Sequence, residues 1–387
     1  MAHYNTLLHQ LLSLLPRHQF QKRVESSGAD SYTKSFSTWN QLTVLLYAQA
    51  SGKDSLRDIE HSLLAQSGRT YHVGLPARIC RSTLADAGAR RDWRVFEGLF
   101  YQLLERCQSV TPKHKFRVKS PLFSQDATVI SLCLAAFPWA RYRTAKGAIK
   151  LHCQLDHAGH IPCMIRLTDG KGQDLTVFKQ EFPLVPDSIY VIDRAYIDFA
   201  YFRRMQEMGC TFITRLKSHI AYRVIGQHKE LTNRAVLSDE RIERTAANDG
   251  TLPLRLIRYY DKEKDVTLEF LTNNLALAAT TIAALYKARW QVEIFFRWIK
   301  QNLKIQTFLG TSQNAVWTQI WVGMIYYLLL SYIKYQTKCS WALTYLHRLI
   351  RATLLDPMNL IDLVHLSPGR INRLRRLDPQ LTFNFSP

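Results

Sequence analysis

The sequence has few of the residues that would take it out of the ordinary globular class. Glycine and proline number only 16 and 13 among 387 residues, which excludes a collagen-like or low-complexity chain. Charged residues make up 21% and hydrophobic ones 47%, so the chain carries enough apolar surface to fold. Its seven cysteines (Cys80, Cys107, Cys133, Cys153, Cys163, Cys210 and Cys339) are odd in number and scattered, with no CxxC pair. That excludes a disulfide framework or a zinc ribbon and predicts reduced, mostly buried thiols. The opening stretch MAHYNTLLHQLLSLLPRHQF has neither a basic leader nor a small-residue cleavage site, and it predicts an amphipathic helix, not a signal peptide. There is no Walker sequence, since Gly170-Lys171-Gly172 is too short to cradle a phosphate. One apolar run, 316–333, has the length of a membrane span and no second run accompanies it. Thr318, Gln319 and Ser331 within it predict a helix buried on most sides, with no membrane as partner.

Acidic residues are also scarce. Lys and Arg total 51 against 31 Asp and Glu, a formal net charge of +20, which favours polyanions and makes nucleic acid the first partner to consider. The excess is +8 over residues 1–120, +7 over 121–310 and +5 over 311–387, so it follows the whole chain, as wrapping a polyanion requires. A solvated basic surface, or a ribosomal or membrane-surface role, would give the same balance. At about 150 residues per domain the length predicts two or three domains.

Residues 1–110 show three- and four-residue apolar spacing, with breaks at Ser51-Gly52 and from Gly74 to Pro76, and predict an all-helical module. The basic stretch VTPKHKFRVKSP (110–121) reads as a linker or the start of a strand. Beyond it the pattern predicts strands near 116–125, 149–157, 161–168, 188–193 and 211–216, with helices near 174–182 and 197–208. Asp156 to His160 reads as a hairpin turn. Extended segments return over 220–275, a helix is predicted from Thr280 to Lys304, and further helix extends to about 355. The C-terminal tail is basic, with Arg370, Arg373, Arg375 and Arg376.

The 280–304 segment carries most of the chemistry. At 100° per residue, Tyr286, Arg289, Glu293, Lys300 and Lys304 share a stripe about 60° wide, beside an apolar face that includes Val292, Phe295, Phe296 and Ile299. Arg289 and Glu293 alone would be an ordinary i,i+4 ion pair. The sharper reading makes Glu293 a metal ligand and gives Tyr286, Arg289 and Lys300 to phosphates, because phosphate oxygens call for charge-assisted donors and a divalent ion for carboxylates. Asp126 and Asp193 supply further carboxylates at predicted strand ends, where α/β active sites lie, although either alone is as well read as a turn or cap residue. His152, His157 and His160 cluster at the hairpin and read as polar turn residues, because no cysteine pair supports a zinc site.

Together, Asp126-Ala127-Thr128, Asp193-Arg194-Ala195-Tyr196 and the Y-x2-R-x3-E-x6-K series Tyr286, Arg289, Glu293, Lys300 closely resemble the signature of the DDE transposases of the insertion-sequence-four family. The resemblance spans about 120–310, and SFSTWNQLTVLLYAQASGKDSLRDIE (35–60) also resembles the helical module of one branch of that family. It implies an α/β fold, a ribonuclease H-like mixed sheet with a β-rich insertion behind an all-helical N-terminal module. The implied limits are 1–112 for a helical DNA-binding module, 113–219 with 276–310 for the catalytic domain, 220–275 for the insertion and 311–387 for a helical C-terminal region and basic tail. Asp126, Asp193 and Glu293 would be the catalytic carboxylates and ligands of two Mg2+ ions, with Mn2+ able to substitute. Tyr286, Arg289 and Lys300 would contact DNA. The implied activity is cleavage and joining of double-stranded DNA at transposon ends and target, through a hairpin intermediate, by a homodimer in the synaptic complex. The implied location is the bacterial cytoplasm, at the nucleoid. Arg17, Lys22, Arg23, Arg57 and Arg69 are candidates for binding terminal repeats. Relatives stack a tryptophan of the insertion on a flipped base; here Tyr259, Tyr260 or Phe270 would have to supply that face. A ribonuclease H-like nuclease without strand transfer, or an inactive DNA-binding derivative, are the alternatives.

Overall fold

The computed structural model describes residues 5–143, 146–228, 233–245, 252–305 and 307–365. A ten-stranded mixed sheet forms its centre. In chain order the strands are β1 (Leu122–Leu132), β2 (Arg141–Arg143), β3 (Lys146–Asp156), β4 (Ile161–Asp169), β5 (Ile189–Ile192), β6 (Thr211–Arg215), β7 (Tyr222–Gln227), β8 (Val236–Arg244), β9 (Leu254–Asp261) and β10 (Val266–Thr272). β1, β3 and β4 make an antiparallel meander, and β5 and β6 add in parallel beside β1. The resulting order β4-β3-β1-β5-β6 is the ribonuclease H-like core expected from the sequence. β10 pairs antiparallel with β6, and β9, β8 and β7 follow, so segment 220–275 continues the same sheet.

The first strand differs from expectation. It begins at Leu122, not near 116, and runs to Leu132, because the eleven-residue β3 pairs with it from Phe123↔Asp156 to Leu132↔Gly147. Asp126 consequently lies inside a strand, not at its end. Residues 113–119 stay outside the sheet, although Phe116 and Val118 pack against its core.

Three apolar clusters fix the layers. On one side Phe178 and Phe182, with Phe202 and Met205 of the helix Phe199–Glu207, pack on Phe123, Tyr190 and Phe212, and the Phe202 and Phe212 rings stack at 3.9 Å. The helix Ala279–Ala288 sets Ile282, Leu285 and Tyr286 against Ile213, Ile257 and Phe270. The largest cluster joins N-terminal helices through Phe20, Phe96 and Phe100, the helix Gln313–Gln336 through Trp321, and the sheet through Ile149, Leu151 and Ile165. N-terminal helices, C-terminal helices and the meander thus share one core. The helix Gln313–Gln336 is long and apolar enough to cross a membrane, yet 89% of its apolar window is buried in the protein, as the sequence reading expected. The helix Thr38–Ser51 starts at Ser37 because Ser37 and Asn40 cap each other reciprocally, and it stops at Gly52, whose φ of 73° suits a residue without Cβ.

His152 and His157 are core residues, not turn residues. Each is almost fully buried, bonded through Nε2 to Thr168 Oγ1 at 2.9 Å and to Ser124 Oγ at 2.7 Å respectively. The tail arginines Arg370, Arg373, Arg375 and Arg376 lie outside the described residues.

One buried ion pair connects the added strands to the helix that follows them. Arg255 of β9, fully buried, donates from Nε and Nη2 to Asp239 of β8, both at 2.7 Å. Its Nη1 donates to the carbonyls of Asn274 and Leu277, in the loop before Ala279–Ala288. Arg255→Met leaves a buried carboxylate unpaired and is expected to destabilise the fold by about 3–5 kcal/mol. Urea denaturation should show a much smaller loss for Arg255→Met with Asp239→Leu, because no buried charge then remains.

Candidate active site

Parallel pairing of β1 and β5 brings the two aspartates together. The register runs from Leu122↔Ile189 to Gln125↔Ile192, so Asp126 and Asp193 come one step further along neighbouring strands. β5 ends there because Asp193 caps a single 3-10 turn, Arg194–Tyr196, its carboxylate accepting from the Ala195 amide at 2.9 Å. That turn returns Tyr196 to β1, where its hydroxyl donates to Asp126 Oδ1 at 3.2 Å. The same oxygen accepts from the Ala127 amide at 2.8 Å.

The expected single helix 280–304 is two helices, Ala279–Ala288 and Trp290–Asn302, interrupted for one residue at Arg289. The junction tightens to i→i−3 bonding, with the Arg289 amide on the Tyr286 carbonyl and the Val292 amide on the Arg289 carbonyl. Glu293 lies in the first turn of the second helix, where the N-terminal end of the dipole favours a carboxylate. Val292, Phe295, Phe296 and Ile299 hold that helix in the main core. Lys304 falls beyond the helix and leaves the predicted stripe: it pairs with Asp54, and its amide donates to Gln49 Oε1.

Arg289 is the hub. Its Nη2 stands 2.6 Å from Glu293 Oε1 and 4.0 Å from Asp193 Oδ2, and its Nη1 stands 3.3 Å from Asp126 Oδ2. Its buried Nε has no partner among the described residues, a desolvated donor costing about 1–3 kcal/mol. Burial opposes its charge, but the Glu293 hydrogen bond and the neighbouring acids outweigh that and raise its pKa. Asp126 goes the other way: burial lifts its carboxyl to about 6, against the pull of the Ala127 amide and Arg289.

Of the other signature residues, Tyr286 is 9% exposed and its ring packs on Phe270 at 5.0 Å, with the Arg289 guanidinium 5.9 Å over its face. Lys300 lies two turns beyond Glu293 on the same face, is half-buried, and has no ion-pair or hydrogen-bond partner among the described residues; burial lowers its pKa. Of the N-terminal candidates Arg17, Lys22, Arg23, Arg57 and Arg69, all are exposed, and Arg69 is engaged by Asp356 at 3.0 Å. Phe270 is fully buried and presents no free face, and Tyr260 donates to Asp265.

Two neighbours of the site carried weaker signals. Tyr196 stood in the second aspartate motif, but only the turn geometry reveals its bond to the first aspartate. Trp290 follows Arg289 directly and is 47% exposed, with the Arg297 guanidinium 5.8 Å from its ring and exposed Ile294 one turn on. Its exposure is a tertiary property that periodicity does not encode.

The donor chemistry fits a divalent ion, since three carboxylates converge on one cation and offer hard oxygens. As placed, however, no three acidic, histidine or cysteine side chains among the described residues are close enough to hold one ion. The guanidinium stands between them.

The raised pKa of Asp126 predicts a stability effect with a definite sign. The folded protein retains this proton up to about pH 6 while the ordinary carboxyl loses it near 3.8, so the cost is absent below about pH 4 and complete above about pH 6. In metal-free buffer Asp126→Asn is expected to be more stable than the parent at pH 7.5, by on the order of 2 kcal/mol. Thermal melts between pH 4 and 7.5 should show that advantage vanish on the acid side.

Comparison with known proteins gives the family through a family model and through similar sequences. Residues 119–329 match the model of the transposase DDE domain, and residues 3–76 match a domain of unknown function (DUF4372). A Sinorhizobium fredii protein named as a transposase, y4zB, is 32% identical over 252 residues, covering 64% of this chain and 69% of that one. A Geobacillus stearothermophilus protein named as the transposase of insertion sequence element IS5377 is 28% identical over 345 residues, 87% of each chain. A solved piggyBac transposase synaptic complex with hairpin DNA aligns over 99% of this chain and 87% of its own, at 12% identity and a TM-score of 0.46. The chain, with a DDE domain over more than half its length, belongs to the DDE transposases of bacterial insertion sequences.

Proposed function

We propose that this transposase cuts its element out of DNA and joins it elsewhere, using Asp126, Asp193 and Glu293 as metal-binding carboxylates. The observation that carries the reading is the meeting of these three acids, from a strand interior, a strand end and a helix start, on one guanidinium. Bound by them, Mg2+ or Mn2+ supplies the Lewis acidity that activates the attacking oxygen and neutralises the leaving 3′ oxygen. Tyr196 holds Asp126 in place through its hydroxyl. Arg289 and Lys300 take phosphate oxygens and align the scissile strand, and Tyr286 supports Arg289 from the core. Water first opens a phosphodiester at the element's end and frees a 3′-hydroxyl. That hydroxyl then attacks the opposite strand, forming one P–O bond as another breaks, and the resulting hairpin is opened before attack on target DNA. Each step exchanges one phosphodiester bond and needs no nucleotide triphosphate. Two ends must be held at once, so the working form is a homodimer on DNA, at the nucleoid. Trp290, exposed beside Glu293, offers a stacking face for an unpaired base that the buried Phe270 lacks.

The linker before β1 adds a DNA-facing surface. Lys113, Lys115, Arg117 and Lys119 are exposed at alternate positions, while His114, bonded to the Ser120 carbonyl, Phe116 and Val118 turn inward. None of the four cations has an acidic partner among the described residues. The inward residues hold the segment, so the cations form a fixed row suited to a phosphate backbone.

Two measurements test the reading. Incubated with DNA carrying the flanking inverted repeat and Mg2+, the protein is expected to nick at the repeat boundary and to give hairpins and joined products. Asp126→Asn, Asp193→Asn or Glu293→Gln should abolish both while leaving DNA binding nearly intact. Cleavage without joining would identify a nuclease, and binding without cleavage an inactive derivative. Replacing all four linker cations with Gln should lower the slope of log affinity against log salt by about 3–4, from about 0.9 per lost phosphate contact; an unchanged slope would remove the linker from the DNA interface.

A further inference from the structure

The oxygens that would hold a divalent ion are already engaged. One guanidinium reaches all three carboxylates, at 2.6, 3.3 and 4.0 Å, and among the described residues no three acidic side chains stand close enough to share a single ion. A monocation answers only part of the charge, because three carboxylates against one guanidinium leave a formal excess of two negatives. The guanidinium is also incompletely satisfied, with Nε buried and without a partner among the described residues. It is therefore held firmly on its terminal nitrogens and poorly on its inner edge. A phosphate presents several acceptor oxygens in a geometry that suits this planar fork.

We propose that Arg289 is an internal counter-ion that keeps the carboxylates from metal until a DNA phosphate draws the guanidinium away, so that DNA and divalent metal bind with positive coupling. The inference rests on the reading of Asp126, Asp193 and Glu293 as metal ligands. Arg289 acts here as a positioning residue, in one of two places. On the acids it offsets their mutual repulsion and closes the site. On the phosphate it leaves three bare carboxylates whose charge a dication meets better than a monocation. Because binding free energies are reciprocal, DNA must tighten metal binding by the same factor by which metal tightens DNA binding. The position of Arg289 favours this exchange. It is the residue between two helices, with Tyr286 on one side and Val292 on the other packed into separate cores.

The test is titration of Mn2+, read from the paramagnetic signal of the free ion, with and without a duplex carrying the inverted repeat and ending in a 3′-deoxynucleotide that cannot be joined. In the parent, DNA is expected to tighten Mn2+ binding by about 5–150-fold. Arg289→Ala should bind Mn2+ about tenfold more tightly than the parent without DNA, and DNA should then add little. Arg289→Lys, which keeps the charge but cannot span three acids, should fall between them. Circular dichroism establishes that each variant is folded, and Arg289→Lys carries the test if Arg289→Ala is not. Equal DNA-free affinity in the parent and the folded variants, or full coupling retained without the guanidinium, would overturn the proposal. Asp126→Asn and Glu293→Gln separate the two readings. If both bind Mn2+ as the parent does, the acids are not the metal site, and the proposed function fails along with the inference. If they lose Mn2+ while Arg289→Ala behaves as the parent, only the counter-ion role fails.

Discussion

Three carboxylates confined to one small region repel one another, and this repulsion constrains the architecture around them. They come from residues 126, 193 and 293, so the chain must close two long loops to assemble a cluster that would rather disperse. Arg289 offsets part of the repulsion, four residues before Glu293 and across from both aspartates. The remainder is offset by rigidity elsewhere. β1 and β5 fix the two aspartates through backbone pairing, which is insensitive to side-chain charge. Val292, Phe295, Phe296 and Ile299 anchor the helix that carries Glu293 in the largest hydrophobic core.

That anchoring explains why the peripheral elements matter to the centre. The helix bearing Glu293 packs on β1 and β3 and against the helix Leu343–Thr353, where Trp298 donates to Thr344, and its Phe295 and Trp298 meet Tyr327 of Gln313–Gln336. Lys304, just beyond the helix, is held by Asp54 and Gln49 of the N-terminal region. From the other direction, Arg255 ties the strands of 220–275 to the loop that starts the helix before Arg289. Arg289 is therefore reached by two supports from distant parts of the chain.

Much of this was legible in the sequence, for physical reasons. Alternation and three-four spacing report which face of an element is buried, so β3, β4, β5 and β6 and the helix Phe199–Glu207 lie within one to three residues of the pattern-based limits. The stripe Tyr286, Arg289, Glu293, Lys300 survived because a tightened turn at Arg289 preserves the helical direction. Strand limits that depend on a partner were not legible. β1 extends to Leu132 because β3 is long enough to pair with it, and nothing within 126–132 announces that. Lys304 fitted the helical angle but lies past the helix end, where a contact with the N-terminal region decides its place. His152 and His157 read as turn residues because burial by the opposite layer has no local signature, whereas His160 does lie exposed in the turn. The bond from Tyr196 to Asp126 depends on a turn placing one motif's tyrosine against the other motif's aspartate, a relation between segments seventy residues apart.

The energetics of Asp126 bring these threads together. Burial lifts the Asp126 carboxyl to about 6 in spite of an arginine, a tyrosine hydroxyl and an amide pointing at it. Burial therefore outweighs the three donors that favour its charge in the free protein. Burial that is unfavourable for a lone carboxylate becomes favourable when a multivalent cation is present, because the low-dielectric setting that penalises one charge strengthens attraction between opposite charges. The same holds for Arg289, whose buried Nε has no acceptor among the described residues and would gain one from a bound anion. Burial penalises the charge of both groups, and a phosphodiester with metal ions, as proposed, would offset both penalties at once. Under the proposed function, the free site is pre-organised toward the charge distribution of a complex with DNA and metal, and the stability it forgoes would become part of the affinity for that complex.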